Sequence, residues 1–325
     1  MSFDSRMIPV MNQSSAFQMP DCQIPDCQIF AGVDGGGTKC RVRLRNAQGV
    51  LIGEAEGGSG NIRLGLDLVW NNILTAIDQA LVNAGAGPGR NSAVFGKMSL
   101  GLGLAGISDA GDAARTIAAG PRFGRCEASS DAHTAVLGAF SGRDGGILIS
   151  GTGSAAYAWV GGKGIQVGGW GFELCDDGSA ADLGRDALRA ALDGQDGMAP
   201  TTDFTRAVIA RFGTATDIVH FVTDARPRDY GQLAPMVMQF ADAGDAVAVA
   251  LVEQQARFMG RYIARLNEIG AKSVCLVGGM APVFQPWLSP AARAVLAEPE
   301  HDALEGAILM AQGHANGLTP AKVTG

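Results

Sequence analysis

A chain of 325 residues, 47% hydrophobic and only 18% charged, has the apolar material for sizeable cores and is not a disordered polypeptide. Its net charge of −7, with no Lys/Arg-rich run, excludes the cationic stripe by which nucleic-acid-binding proteins release counterions. No apolar run reaches the roughly 18–20 residues that span a bilayer, and no basic segment leads into an apolar one at the N-terminus, so neither membrane span nor signal peptide is expected. The length suits two domains of about 150 residues each.

Residues 1–28 read as a leader outside the fold, in which Pro20-Asp21-Cys22-Gln23-Ile24 is repeated at once as Pro25-Asp26-Cys27-Gln28-Ile29. Cys22 and Cys27 have no second Cys or His pair at zinc spacing. All 6 cysteines read as reduced cytosolic thiols in a chain too large to need staples, and the protein is expected in the cytoplasm. Order begins at Ile29. The apolar run 29–34, the alternating stretch 40–45 and the run 50–55 predict a three-stranded meander. Leu66, Val69, Trp70, Ile73, Leu74, Ile77 and Leu81 then fall at helical spacing, and Gly85 closes that helix. Strands follow at 99–104 and 126–130, with a helix over 109–119 between them.

The same programme restarts at 146–150, 155–160 and 163–167, three short strands separated by glycines. Helices are predicted at about 179–192, 203–212 and 245–269, a buried strand at 273–277 and a last helix at about 302–315. The reading is a duplicated α/β fold with a central cleft, divided into domains 29–141 and 142–325, the last helix packing back on the first.

The chemistry concentrates in two turns. The first meander turns through Val33-Asp34-Gly35-Gly36-Gly37-Thr38-Lys39 and the second through Ile149-Ser150-Gly151-Thr152-Gly153-Ser154. Turns of this kind offer successive backbone N–H groups to an anion, and glycine removes the Cβ that would hold phosphate off. Thr38, Thr152 and Ser154 add hydroxyl donors. The order Thr38-Lys39 is wrong for a P-loop. Gly151-Thr152-Gly153 leads into a strand, where a dinucleotide fingerprint would open a helix.

Asp34, beside the first turn, would repel phosphate unless a divalent cation lay between them, so Mg²⁺ is its natural ligand. Otherwise it is a turn-forming Asp. Asp131 follows the strand 126–130 and opens a helix, placing it where an N-cap and a general base are both possible. A third stretch, Gly168-Gly169-Trp170-Gly171-Phe172-Glu173-Leu174-Cys175-Asp176-Asp177-Gly178-Ser179, has two readings. An aromatic between glycines followed by paired acids suits a sugar site; the alternative is a mobile acidic loop whose Asp177 or Ser179 caps the next helix.

These motifs together resemble the BadF/BadG-type group of the actin/hexokinase/Hsp70 ATPase superfamily, which includes N-acetylglucosamine kinases and bacterial glucosamine kinases, over residues 29–315. The resemblance implies ribonuclease H-like halves, ATP and Mg²⁺ as cofactors, and an amino sugar phosphorylated at its 6-hydroxyl. Gly35, Gly36, Gly37, Thr38 and Lys39 look like the first phosphate loop and Gly151, Thr152 and Gly153 like the second. Gly278, Gly279 and Met280 look like the adenosine-side loop. Asp131 falls at the catalytic position, while Asn61, Ser154, Trp170, Gly171, Asp176 and Asp177 fall at sugar-contacting ones. Gly169-Trp170-Gly171 is similar to N-acetylglucosamine kinases, whereas Pro227–Gln232 and Asp302–Ala307 are similar to glucosamine kinases. A homodimer is expected, and an ATPase that drives a partner enzyme through a cysteine-held iron–sulfur cluster is the competing reading. Cys126, Cys175 and Cys275 lack the paired spacing for such a cluster.

Overall fold

The computed structural model describes residues 28–85 and 92–313. Residues 1–27, with Cys22, Cys27 and most of the repeat, and the end of the expected last helix lie outside the described residues. The strands are β1 (Ile29–Gly35), β2 (Cys40–Asn46), β3 (Leu51–Gly57), β4 (Met98–Leu104), β5 (Arg125–Ser130), β6 (Gly145–Ser150), β7 (Ser154–Val160), β8 (Lys163–Val167) and β9 (Val274–Val277). The helices of the first half are α1 (Leu66–Asn83), α2 (Ser92–Gly96), α3 (Ala110–Ala119) and α4 (Asp131–Ala139). Those of the second are α5 (Ala180–Gln195), α6 (Asp203–Phe212), α7 (Ala215–Asp224), α8 (Pro227–Gly231), α9 (Ala234–Asp242), α10 (Ala246–Ile269), α11 (Ala281–Phe284), α12 (Pro290–Arg293) and α13 (Ala303–Ala311). None of the described helices is alone long and apolar enough to cross a membrane.

Two sheets result, with strand orders β3-β2-β1-β4-β5 and β8-β7-β6-β9. In each, an antiparallel meander is extended by parallel strands from its first member. The alternation of 40–45 appears directly: Val42 and Leu44 are fully buried while Arg41, Arg43 and Arg45 lie on the other face.

Helices α4 and α13 join the halves. α4 packs on β4 and also on β6 and β7, and α13 lies against β1, β4 and α4. Glycines permit this approach. A Cβ on Gly306 would overlap the Thr134 carbonyl, and one on Gly138 would overlap that of Asp302. Both obstacles are backbone, so neither can move aside. Gly306→Val is therefore expected to destabilise the protein by about 3 kcal/mol or more, a Tm loss of roughly 10 °C in a melting experiment. An unchanged Tm would mean that the two helices do not meet in this way.

Candidate active site

The first glycine turn is clamped from two sides. The Ala105 N–H donates to the Gly35 carbonyl (2.7 Å), the Gly60 N–H to that of Gly36 (3.0 Å) and the Ser59 hydroxyl to that of Gly37 (2.8 Å). Ser59 also accepts from the Asn61 N–H at 3.2 Å, bringing Asn61 beside the turn. There Asn61 Oδ1 caps the short 3₁₀ turn 62–64 through the Arg63 N–H (3.0 Å), leaving the Nδ2 donors for a ligand. Thr38 and Lys39 are exposed, and the Lys39 ammonium is paired with Glu56 at 2.6 Å.

Strand register fixes where the acids stand. Asp34 is opposite Gly103 on β4, and Gly103 is opposite Ser129 on β5. Asp34 and the residues following Ser129 therefore share one edge of the parallel strands, about 10 Å apart at roughly 4.8 Å per strand. That C-terminal edge is where open α/β sheets bind ligands. The helix cap belongs to Ser130, whose Oγ accepts from the His133 N–H at 3.2 Å; Asp131 is the first helical residue. This corrects the N-cap reading of Asp131, whose carboxylate accepts through Oδ1 from the Ala132 N–H at 2.8 Å. Burial pushes its carboxyl pKa up, and the negative charge of Asp34 adds to the rise.

If ionised Asp131 takes up the acceptor's proton, activity is lost as pH falls through its raised pKa. The acid limb of kcat/KM is then expected above the ordinary Asp value of about 3.9. A limb at or below that value would separate Asp131 from the rate.

Asp34 has a partner that the sequence reading missed. Arg41, opposite it in the β1–β2 register, donates to Asp34 Oδ2 at 2.6 Å. Hairpin register across the Gly35–Lys39 turn is the signal that could have found it. The donor set suits a hard divalent ion, which prefers carboxylate, phosphate and water oxygens. Asp34 Oδ1 would hold it while Arg41 fixes the other oxygen.

In the second half the glycine turn rests on the N-terminus of α5, with the Ala180 N–H donating to the Gly151 carbonyl (2.9 Å) and the Ala181 N–H to that of Thr152 (3.2 Å). The Met280 N–H donates to the Ser150 carbonyl at 2.9 Å, so the 278–280 loop adjoins this turn. Ser154 departs from its expected part as a free hydroxyl donor. It is buried at the start of β7, and its Oγ donates to the Asp177 carbonyl at 2.7 Å.

The glycines of these loops are of two kinds. Gly35, Gly60 and Gly278 are enforced, because a Cβ there would overlap neighbouring backbone or side chain. Gly37, Gly151 and Gly279 are not: a Cβ at each would meet nothing within 4 Å, and none needs positive φ. Packing does not demand glycine at these three positions. A ligand lying against the backbone there would need it.

Ser179, fully buried, caps α5 by accepting from the Asp182 N–H (3.1 Å), leaving Asp177 uncommitted as a cap. Asp176 is 7% exposed and accepts from the Ser154 N–H, so it is wedged beneath the second turn. Burial pushes both the Asp176 and Asp177 carboxyls up. Trp170 and Leu174 stand out of the loop at 70% and 80% exposure, and Gly171 pairs with Cys175 across its neck. The segments resembling glucosamine kinases are supports. Tyr230 rests on the Phe172 ring (4.8 Å between centroids), while Asp302 and Glu305 bind Arg43 (2.7 Å) and Arg45 (2.8 Å) and hold α13 on β2.

Two meander-led halves, each with a glycine turn between its first two strands and a half-buried carboxylate at the helix that joins them, define the actin-like ATPase architecture. The chain belongs to the BadF/BadG/BcrA/BcrD ATPase family, whose model matches residues 31–311. It is 38% identical to a glucosamine kinase of Vibrio cholerae over 283 residues, covering 87% of this chain and 95% of that one. An N-acetylmuramic acid/N-acetylglucosamine kinase of Clostridium acetobutylicum is 25% identical over 246 residues, covering 73% of this chain and 79% of the relative. Among solved structures, a proposed N-acetylglucosamine kinase from Chromobacterium violaceum superimposes with a TM-score of 0.77 at 31% identity, covering 88% of this chain and 99% of its own.

Proposed function

We propose that this protein is an amino-sugar kinase that transfers the terminal phosphoryl group of ATP to the 6-hydroxyl of glucosamine. The observation that carries ATP use is the set of glycines that packing does not require. Gly37, Gly151 and Gly279 keep open backbone beside the two turns and the adenosine-side loop. Backbone N–H groups there grip the phosphates, Asp131 accepts the acceptor's proton as the O–P bond to the sugar forms and the bond to the departing ADP breaks, and Asp34 would hold the cation. Mg²⁺, when bound, supplies the charge neutralisation that phosphoryl transfer needs.

The V. cholerae relative and the charge of the loop support glucosamine as the acceptor. Burial pushes the Asp176 carboxyl up, and the negative charges of Asp182 and Glu173 add to the rise. An ammonium group relieves that repulsion, whereas an acetamide does not. The second reading, N-acetylglucosamine, is favoured by Trp170 and by the C. violaceum relative, since an exposed ring offers an apolar surface to an acetyl methyl.

The partner-driving ATPase finds less support. Cys40, Cys126, Cys175 and Cys275 lie on β2, β5, the 168–178 loop and β9, and burial pushes the Cys126 thiol up to about 12. Gly151→Ala tests the phosphate reading. It is expected to leave Tm unchanged and raise KM for ATP about 10-fold or more, equivalent to about 1.4 kcal/mol. A variant with ordinary KM for ATP would remove the phosphates from this turn.

A further inference from the structure

The 168–178 loop is held at both ends by residues that lie behind it. Arg185 on α5 donates through Nη1 to the Phe172 carbonyl at 2.9 Å, and its guanidinium lies 4.8 Å from the Phe172 ring centre. Through Nη2 it binds Asp182 Oδ1. Gln255 on α10 accepts from the Gly178 N–H through Oε1 at 2.7 Å and donates through Nε2 to Asp182 Oδ2 (3.0 Å) and Asp186 Oδ2 (3.1 Å). One connected network, Phe172–Arg185–Asp182–Gln255–Gly178, therefore spans the acidic part of the loop. Tyr262, also on α10, adds a contact to Cys175 Sγ at 3.0 Å.

Its location makes this network informative. Gln255 is 0% exposed and Asp182 is 2% exposed. Polar groups at such depth cost free energy unless every bond is made, and apolar residues of similar size pack two helices at least as well. What a buried polar network adds is a single geometry, and in this one Arg185 Nε alone has no hydrogen-bond partner among the described residues. Here that geometry is imposed on the backbone at Phe172 and Gly178, the two sides of the segment that carries Glu173, Asp176 and Asp177. Between them Glu173 and Leu174 are exposed, while Asp176 is held under the second turn.

We infer that Arg185 and Gln255 are positioning residues for the acceptor sugar, acting through Phe172 and Gly178 to set the carboxylates of the loop against the amine and hydroxyls. The inference rests on the proposal that this loop binds the sugar. Arg185 serves it in a second way, its positive charge opposing the upward shifts of Asp176 and Asp177 and favouring the ionised forms.

Two variants test it. Gln255→Leu keeps size and removes every bond of the amide. Arg185→Lys keeps a cation beside Asp182 but loses the planar fork that also reaches Phe172. Steady-state kinetics of each should show KM for glucosamine raised by roughly 10- to 100-fold, the scale of a misplacement near 1 Å. KM for ATP should stay within about 2-fold, and Arg185→Lys should remain folded by melting and circular dichroism. Equal losses of affinity for ATP and sugar, an unchanged sugar KM, or failure of both variants to fold would each overturn the inference by making the network a plain structural strut. Wild-type enzyme assayed in parallel separates the two readings. If it phosphorylates no amino sugar the proposed function falls, and if it does while both variants keep its sugar KM only the positioning role falls.

Discussion

Asp131→Asn is expected to lower kcat by about 10²–10⁴-fold, the usual contribution of a positioned base, while ATP binds as before. Asparagine keeps the size of the side chain and can still accept from the Ala132 N–H, so α4 should start in the same place. The helix cap is untouched because it belongs to Ser130. What is lost is the capacity to take a proton at the edge of the parallel strands. The measurement is kcat alongside a calorimetric Kd for ATP. Near-normal turnover would remove Asp131 from the chemistry, and a matching loss of ATP affinity would make it part of the nucleotide site instead.

The second large effect is expected at Asp34. Asp34→Asn removes one negative charge, frees Arg41 and leaves a weaker ligand for a divalent ion. Loss of a metal's charge stabilisation costs several kcal/mol in the transition state, so a fall in kcat of roughly 10²–10³-fold is expected. This variant differs from Asp131→Asn in its ATP titration. With wild type and Asp131→Asn, Mg²⁺ should strengthen ATP binding; with Asp34→Asn, titrations with and without Mg²⁺ should converge. If Mg²⁺ strengthens ATP binding as much in Asp34→Asn as in wild type, Asp34 is not its ligand, and the ion pair with Arg41 is a purely structural bond of the β1–β2 hairpin.

The strands were legible in the sequence because each meander writes its register into local alternation and ends on glycine. The runs expected at 40–45 and 163–167 appear as Cys40–Asn46 and Lys163–Val167. Helices α7, α8 and α9 were not anticipated. They are 10, 5 and 9 residues long, α8 and α9 each begin near a proline, and α7 buries only Ile218, so none shows an apolar stripe of useful length. Spacing placed Asp34, Asp131 and both glycine turns at strand ends, where the structure has them, since strand ends and glycines are local signals. Arg41 needed the pairing of two strands to be seen. The Arg185–Asp182–Gln255 network needed α5 and α10 side by side, with 69 positions between Asp186 and Gln255. Ser154 shows the opposite failure. Its hydroxyl looked available beside Thr152, but the fold places the Asp177 carbonyl within 2.7 Å of it.

In the proposed function the two glycine turns and Asp131 serve phosphoryl transfer to an amino sugar. Coupled ADP release by the wild-type enzyme, with Mg-ATP and glucosamine, N-acetylglucosamine, glucose or N-acetylmannosamine in turn, tests it most directly. ADP release that depends on an amino sugar, greatest kcat/KM with glucosamine, and formation of the 6-phosphate are the predicted results. ADP release that none of the four sugars stimulates would rule out amino-sugar kinase activity.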